Sequence, residues 1–230
     1  MNNFYKQPKL LLWIEAFILI IVGCYPIIFI SEAGSSQPLY YLLILVYIPV
    51  FQFAITPISR LTGIYKYYSP MLLGYMANNN QIDIHSGSSF DYLFVMRKFK
   101  IGSQLKNQLL IYHVQGLMKI IDLIEKDKIP TTVTITGTSY FFNERTVEKL
   151  GFQKENPSIF YRVNLIANIV DLVWMYSIAK GHFSIPKILN AKKVKIVGSK
   201  LVDKKEIIIK LHTTLKERQK NAYNTVQFES

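Results

Sequence analysis

Two long apolar runs near the N-terminus dominate the pattern of hydrophobic and polar positions. The first covers residues 10–30 and contains one charged residue, Glu15; the second covers residues 39–59, and its most polar interior residue is Gln52. A helix of about 20 residues rises about 30 Å, which is the thickness of the hydrocarbon core of a bilayer. The pattern therefore predicts a hairpin of two transmembrane helices joined by the polar turn SEAGSSQP.

Basic residues flank the outer ends of this hairpin. Lys6 and Lys9 precede the first run, Arg60 and Lys66 follow the second, and the turn between the runs has no basic residue. Because short cytoplasmic segments are enriched in Lys and Arg, both termini are predicted to be cytoplasmic and the turn to lie outside. We expect an integral protein of a bacterial-type inner membrane.

Two alternatives to a transmembrane hairpin fit the apolar runs less well. Ile21-Val22-Gly23-Cys24 resembles a lipoprotein-processing motif, but the apolar run continues to Ile30, and Glu15 would lie inside the apolar region of the signal peptide. Two buried helices of a soluble core fit less well, because two such long runs follow each other directly.

The two polar residues of the runs predict a contact between them. Glu15 lies six residues after Lys9, and Gln52 lies eight residues before Arg60, so their depths below the cytoplasmic face are similar. Polar groups in hydrocarbon are costly unless they find a partner, so we predict a hydrogen bond between Glu15 and Gln52.

Shorter, mixed segments follow and predict a cytoplasmic α/β domain over residues 61–162. Residues 61–80 are predicted to be a tyrosine-rich connector, and residues 81–96 a β-hairpin whose second strand is Phe90–Met96. A long helix is predicted from Ser103 to Lys126, because apolar residues recur there at helical spacing. This stripe consists of Leu110, Val114, Leu117, Ile121 and Ile124.

Three further elements complete the predicted domain. A strand is expected at residues 131–137, a helix at 140–150 with Ser139 as its N-cap and Gly151 just after its end, and a strand at 158–164. The resulting order, β-β-α-β-α-β, is typical of an α/β arrangement.

Residues 163–230 are predicted to form an amphipathic interfacial helix and a lysine-rich helical tail. Asn164, Asn168 and Asp171 recur at i, i+4 and i+7, which places them on one helix face. A third span would bury Asp171 in hydrocarbon and export the tail, so we expect a helix at the interface or packed on the hairpin.

Charge is concentrated after the hairpin. The chain carries +12, and its first 60 residues contain three basic and two acidic side chains, which leaves +11 for the rest. Between Lys187 and Lys220 there are 11 basic and three acidic residues. We expect anionic lipid as the partner of this tail, with a protein partner as a second candidate, because nucleic-acid binding would rest on charge alone.

One pair of side chains suggests acid–base chemistry. Asp83 and His85 point the same way on a predicted strand, with Asp91 across from them, and a His–carboxylate pair can act as a general base. The alternative is a set of polar residues on the solvated face of a half-buried hairpin. No metal site is expected, since the histidines lack ligand spacing, and the single cysteine, Cys24, permits no disulfide within the chain.

The segment RTVEKLGF, residues 145–152, resembles the C-terminal half of the GNAT acyltransferase superfamily, and the order of elements over residues 80–163 is similar as well. In that family, backbone N–H groups of the loop before the long helix hold the pyrophosphate of acyl-coenzyme A, and splayed strands admit its pantetheine arm. The resemblance therefore implies a GNAT-like fold and a set of cofactor-binding residues, which here would be Arg97, Lys98, Lys100, Gly102 and Ser103.

Two departures from the family pattern bear on activity. The residue three positions before Gly102 is Phe99, and Val147 stands where the family often has a tyrosine as general acid. They favour a non-catalytic adaptor or accessory protein at the membrane. The alternative is a membrane-tethered, acyl-coenzyme A-dependent acyltransferase.

The topology can be tested by cysteine labelling in intact cells. In a Cys24→Ala background, Ser35→Cys should react with a membrane-impermeant maleimide, whereas Ser230→Cys should react only after the cells are opened. Labelling of the tail from outside would contradict the hairpin with two cytoplasmic ends.

Overall fold

The structure, a computed structural model, describes residues 3–138 and 144–228. Helices account for most of these residues, and a mixed sheet is enclosed between helices and the hairpin. The α-helices are α1 (Lys9–Ser36), α2 (Leu43–Leu61), α3 (Ser89–Asp91), α4 (Ser103–Glu125), α5 (Glu144–Lys149), α6 (Ile159–Ala167), α7 (Ile169–Lys180), α8 (Gly198–Val202) and α9 (Lys205–Phe228). The strands are β1 (Tyr65–Ser69), β2 (Leu72–Tyr75), β3 (Gln81–Ser86), β4 (Thr134–Thr138), β5 (Gln153–Glu155) and β6 (Lys193–Val197).

Helices α1 and α2 form the predicted hairpin, and both are long and apolar enough to cross a membrane. The helices approach closely at Gly23, where a Cβ atom would lie 2.5 Å from that of Ala54. Tyr47 donates a hydrogen bond to the carbonyl of Gly23 at the same crossing. Small residues at such a crossing let two helix backbones pack tightly. The expectation of two apolar helices at the N-terminus is confirmed.

Among the described residues the sheet has six strands in the order β1-β2-β3-β4-β6-β5. β3 and β4 are parallel and are connected through α4, whereas the other neighbouring strands are antiparallel. The expectation of an α/β arrangement is confirmed, and β6, which lies within the segment predicted to be a basic tail, is part of the sheet.

The predicted apolar stripe of α4 packs on one face of the sheet. Val114, Leu117, Ile121 and Ile124 are buried together with the inward-facing residues of β3, β4 and β6. Helix α9 packs on α4 from the other side, with Ile208 and Leu215 buried in the same core. Burying this apolar area is the main contribution to the stability of the domain.

Residues Phe90–Met96 are helical, so the predicted second hairpin strand is wrong. Ser88 and Asp91 form a capping box that starts α3, and the chain continues as a π-helical turn, Tyr92–Met96. Tyr92, Val95 and Met96 of this turn are buried in one cluster with residues of α4 and α7. The first hairpin of the sheet, β1 and β2, instead lies in the segment predicted to be a connector.

Residues 158–164 are also helical rather than extended. Ser158 accepts a hydrogen bond from the backbone N–H of Tyr161 and thereby caps α6. The predicted strand at this place is therefore wrong, and the sheet is completed by β5 and β6. The predicted cap Ser139 lies outside the described residues.

Helices α6 and α7 pack on the hairpin at one end of the sheet. The two helices are bent by 70° relative to each other, and as one unit they would be a third candidate span. Gln52 of α2 donates a hydrogen bond to Asn168 at the bend. The predicted bond between Glu15 and Gln52 is wrong, since Glu15 accepts a hydrogen bond from Gln7 at 3.3 Å. Each of the two polar side chains bonds to a residue outside α1 and α2.

A buried carboxylate connects the end of the hairpin to the sheet. Asp91 is 1% exposed and accepts hydrogen bonds from the Tyr67 hydroxyl at 2.6 Å and from the backbone N–H of Ser88 at 3.1 Å. The guanidinium of Arg60, the last basic residue of α2, lies 3.8 Å from the ring centre of Tyr5 and 4.5 Å from that of Tyr67. Burial raises the pKa of Asp91 to about 6, although these donors and the Arg60 charge oppose the shift.

Removing the Tyr67 hydroxyl should destabilise the protein in a pH-dependent manner. Tyr67→Phe is expected to lower the free energy of unfolding in detergent by about 2 kcal/mol when Asp91 is ionised, because a donor to a buried carboxylate is lost. The loss should shrink as the pH falls through about 6, since the protonated carboxyl of Asp91 needs that donor less.

The matched control is Tyr65→Phe on the same strand. Among the described residues the Tyr65 hydroxyl makes no hydrogen bond, so this change should have a much smaller effect. Equal losses in the two variants, or a loss for Tyr67→Phe that does not depend on pH, would contradict the assignment.

Candidate functional site

A cavity of about 560 Å³ lies where the end of the sheet meets the bent pair α6 and α7. Asp83 and His85 line it from one face of β3, whereas Ile84 of β3 and Gly137 of β4 line it from the other face. Since successive residues of a strand point to opposite faces, the cavity passes across the sheet rather than lying on one side. The pairing of β3 with β4 ends at Ile84 and Gly137, and the last two residues of β3 pair with β2. The cavity therefore crosses the sheet at the point where the parallel pairing of β3 with β4 ends.

Two hydrogen-bonded side chains, Asp83 and His85, line this cavity, and Thr136 supports Asp83 from the neighbouring strand. Thr136 of β4 donates to Asp83 Oδ1 at 2.8 Å, and His85 Nε2 lies 3.0 Å from Asp83 Oδ2. Asp83 and His85 were selected from the sequence as a pair, and the structure brings them together. The sequence does not indicate Thr136, because its position beside Asp83 depends on the register between two strands, and the two residues are 53 positions apart in the chain.

The pKa of Asp83 lies below its ordinary value. Burial by itself would raise the pKa, but the hydrogen bonds from His85 and Thr136 and the charges of His85 and Lys193 outweigh that effect. Asp83 is therefore ionised at neutral pH. Because a carboxylate can only accept, His85 donates to it from Nε2, and Nδ1 is the ring nitrogen that can take up a proton.

Two further titratable side chains line the cavity. His113 of α4 is buried and donates from Nδ1 to the carbonyl of Leu109 at 2.7 Å, and burial lowers its pKa to about 4, so the ring is neutral at pH 7. Asp171 of α7 is 4% exposed. Neither residue was selected as a site residue from the sequence. The sequence did indicate the position of Asp171, because the polar stripe of Asn164, Asn168 and Asp171 lines the cavity as a whole.

Asp91 does not belong to this site. The sequence placed it across a hairpin from Asp83 and His85, but its segment is helical and its carboxylate points into the junction with Tyr67 and Ser88. The capping box explains the difference, because it turns the backbone into a helix directly after Ser88.

The predicted cofactor loop lies at the N-terminus of α4, and none of its five residues lines the cavity. Arg97, Lys98 and Lys100 are exposed there. The backbone N–H of Gly102 donates to the carbonyl of Ile178 near the end of α7 at 2.9 Å. Gly102 and Gly181 both have positive φ, and a Cβ on Gly181 would lie 3.2 Å from Gly102 Cα. The C-terminus of α7 therefore abuts the place where a phosphate would meet α4.

Within the described ranges, no group of three or more His, Cys, Asp or Glu side chains could hold a metal ion. Comparisons with protein-family models, with curated proteins and with solved structures find no match to this chain. The geometry of the cavity and its side chains therefore carries the functional argument.

The bond from Thr136 can be tested by titration of Asp83. Thr136→Val should raise the pKa of the Asp83 carboxyl, because a donor that stabilises the ionised form is removed. Carboxyl ¹³C NMR of the full chain would measure the shift, with Asp83→Asn to assign the signal. The control Thr134→Val, two residues earlier on β4, should leave the Asp83 titration unchanged. An Asp83 pKa that is the same in wild type and Thr136→Val would exclude the contact.

Proposed function

We propose that α1 and α2 cross a bacterial-type inner membrane as a hairpin, with both termini and the sheet on the cytoplasmic side. Support comes from the length and apolarity of the two helices and from their many exposed large apolar side chains. The basic C-terminal part then faces an anionic leaflet, where lysines each contribute about 1 kcal/mol to attraction. Lys195 and Lys205 pair with acidic residues of the domain itself, at 3.6 Å and 2.7 Å, so these two lysines contribute less to that attraction.

The function that the site supports best is acyl transfer, with His85 as general base. The observation that carries this proposal is the pair Asp83–His85, which lines a cavity of about 560 Å³ and in which Asp83 also accepts a hydrogen bond from Thr136. A carboxylate that holds an imidazole in one tautomer is the arrangement used to remove a proton from a nucleophile. The volume lies in the range of small-molecule sites, and a surface that only docks another protein does not need such a cavity.

An acyl-coenzyme A is the proposed donor. Its thioester carbonyl would be attacked by an acceptor hydroxyl or amine whose proton passes to Nδ1 of His85. The crossing of the sheet between β3 and β4 supports this donor, because a slender thioester arm can pass between strands that have stopped pairing. The exposed cations Arg97, Lys98 and Lys100 are available for its phosphates.

A non-catalytic adaptor is the second candidate, and one specific observation favours it. The Gly102 N–H, which would hold a pyrophosphate in a GNAT-like site, is bonded to Ile178 instead. The end of α7 also places carbonyl groups, which repel phosphate, at the N-terminus of α4. If the protein is an adaptor, the loop before α4 serves to hold α4 against the end of α7, and the domain binds a protein partner.

Turnover and binding measurements separate the two candidates. Full-length protein in detergent should release free coenzyme A from acyl-coenzyme A, and chromatography measures the rate of release. His85→Gln should reduce this rate about 10²-fold, because the general base is lost. His182→Gln is the control, since His182 lies in the loop after α7 and does not line the cavity.

Binding of acyl-coenzyme A is measured in the same preparations. Arg97→Ala and Lys100→Ala should weaken saturable binding if these cations hold the phosphates. Absence of binding at millimolar cofactor, or turnover that His85→Gln does not change, would retire the enzyme and leave the adaptor.

A further inference from the structure

The bent pair α6 and α7 has polar side chains at the cavity and apolar side chains on its outer surface. Three of its polar residues, Asn164, Asn168 and Asp171, line the cavity, whereas Arg162 is exposed. Large apolar side chains on the pair point outward and are 37–79% exposed, namely Ile159, Val163, Ile166, Val170 and Trp174. An apolar patch of this kind beside two candidate membrane spans is matched by lipid rather than by water. The pair therefore forms a wall with lipid on one side and the cavity on the other.

The cavity reaches the depth of the hairpin. Gln52 lines it and bonds to Asn168, and it lies within α2, eight residues before Arg60. Eight residues of helix correspond to about 12 Å, so Gln52 lies well below the level of Arg60 if α2 crosses the membrane. The same cavity includes His85 of the sheet. A space that joins polar strand ends to the apolar depth of a membrane fits a molecule with a polar head and an apolar chain.

The charged side chains that line the cavity indicate which kind of lipid head group it binds. Of the described residues that line it, none is Lys or Arg, whereas Asp83 and Asp171 are carboxylic acids. Asp171 is 96% buried, and within the described part of the chain no group donates a hydrogen bond to its carboxyl. A buried carboxyl without a donor is costly, so a ligand that supplies one is strongly favoured. A terminal phosphate beside Asp171 would meet like charge, whereas a terminal ammonium group would pair with the Asp171 carboxyl.

We infer that the cavity binds a membrane lipid whose head carries a primary amine, and that this lipid is the acceptor of acyl transfer. The lipid enters from the cytoplasmic leaflet between α2 and the bent pair, with its amine toward Asp171 and His85 and its chains toward the bilayer. The inference rests on the proposed function, because the acceptor role requires the general base at His85.

The reaction balances without a redox partner. The bound ammonium group first loses one proton to water; the neutral amine nitrogen then attacks the carbonyl carbon of the acyl thioester, a C–N bond forms, and the C–S bond breaks. The proton lost from nitrogen passes to Nδ1 of His85, and the departing thiolate takes up a proton to give free coenzyme A. The product is an N-acylated lipid.

The test uses the full chain in nanodiscs of phosphatidylcholine with or without phosphatidylethanolamine of the same chains. Native mass spectrometry without acyl-coenzyme A measures which lipid is retained, and lipid mass spectrometry with acyl-coenzyme A measures N-acylated product. We expect phosphatidylethanolamine to be retained about tenfold over phosphatidylcholine, since a choline head has no N–H to donate to Asp171.

Variants at the cavity wall make the test specific. Asp171→Asn should remove most of the lipid preference, while Asp127→Asn, an exposed position in the turn after α4, should not. Asn164→Lys is a second variant at an exposed position of the polar stripe, and its cation should repel the ammonium group and abolish both retention and product.

The outcomes separate the inference from the proposed function. Equal retention of both lipids, no effect of Asp171→Asn, or acylation of free ethanolamine as efficient as that of the lipid would overturn the lipid acceptor, even if acyl-coenzyme A is turned over. Selective retention of phosphatidylethanolamine with no N-acylated product would support the lipid site and overturn acyl transfer.

Discussion

A carboxylate without access to water fixes the end of the helical hairpin on the sheet. Asp91 accepts bonds from Tyr67 of β1 and from Ser88 at the start of α3, and it lies near Arg60 at the end of α2. A buried charge of this kind is tolerated only while its donors and its counter-charge keep their positions. The end of α2 is therefore held together with β1 and the start of α3, and α2 also contacts the bent pair, where Gln52 bonds to Asn168. The cavity exists because these elements are held around it.

The two ends of α7 have opposite consequences for function. Near its start, the bend with α6 turns three polar side chains toward the cavity and leaves apolar ones outside. At its end, the carbonyl of Ile178 bonds to Gly102 and covers the N-terminus of α4. The same helix thus supplies polar groups to a candidate acceptor site and accepts a hydrogen bond from the Gly102 N–H, which could otherwise have bound a phosphate. The cavity is therefore a better candidate for the functional site than the basic loop before α4.

The pattern of residues predicted α4 well and two neighbouring segments badly, for physical reasons. In α4, most of the apolar stripe is buried over about four turns, so periodicity and tertiary structure agree. Residues Phe90–Met96 and 158–164 are rich in aromatic and branched residues, which favour strands in general, yet both are helical. In each case a serine, Ser88 or Ser158, caps the first turn, and packing then decides the conformation. Short apolar runs do not distinguish a strand from a buried helix.

The sequence by itself determined two apolar helices at the N-terminus, an α/β domain, a long central helix and the pairing of Asp83 with His85. These features follow from local periodicity or from neighbours two residues apart, which a chain carries in its order of residues. Tertiary structure alone decided that Thr136 reaches Asp83, that β6 enters the sheet between β4 and β5, and that Asp171 and His113 share a cavity with His85. Each of these depends on the register and packing of segments far apart in the chain, and the gain from burying their apolar faces is settled only when the whole core forms.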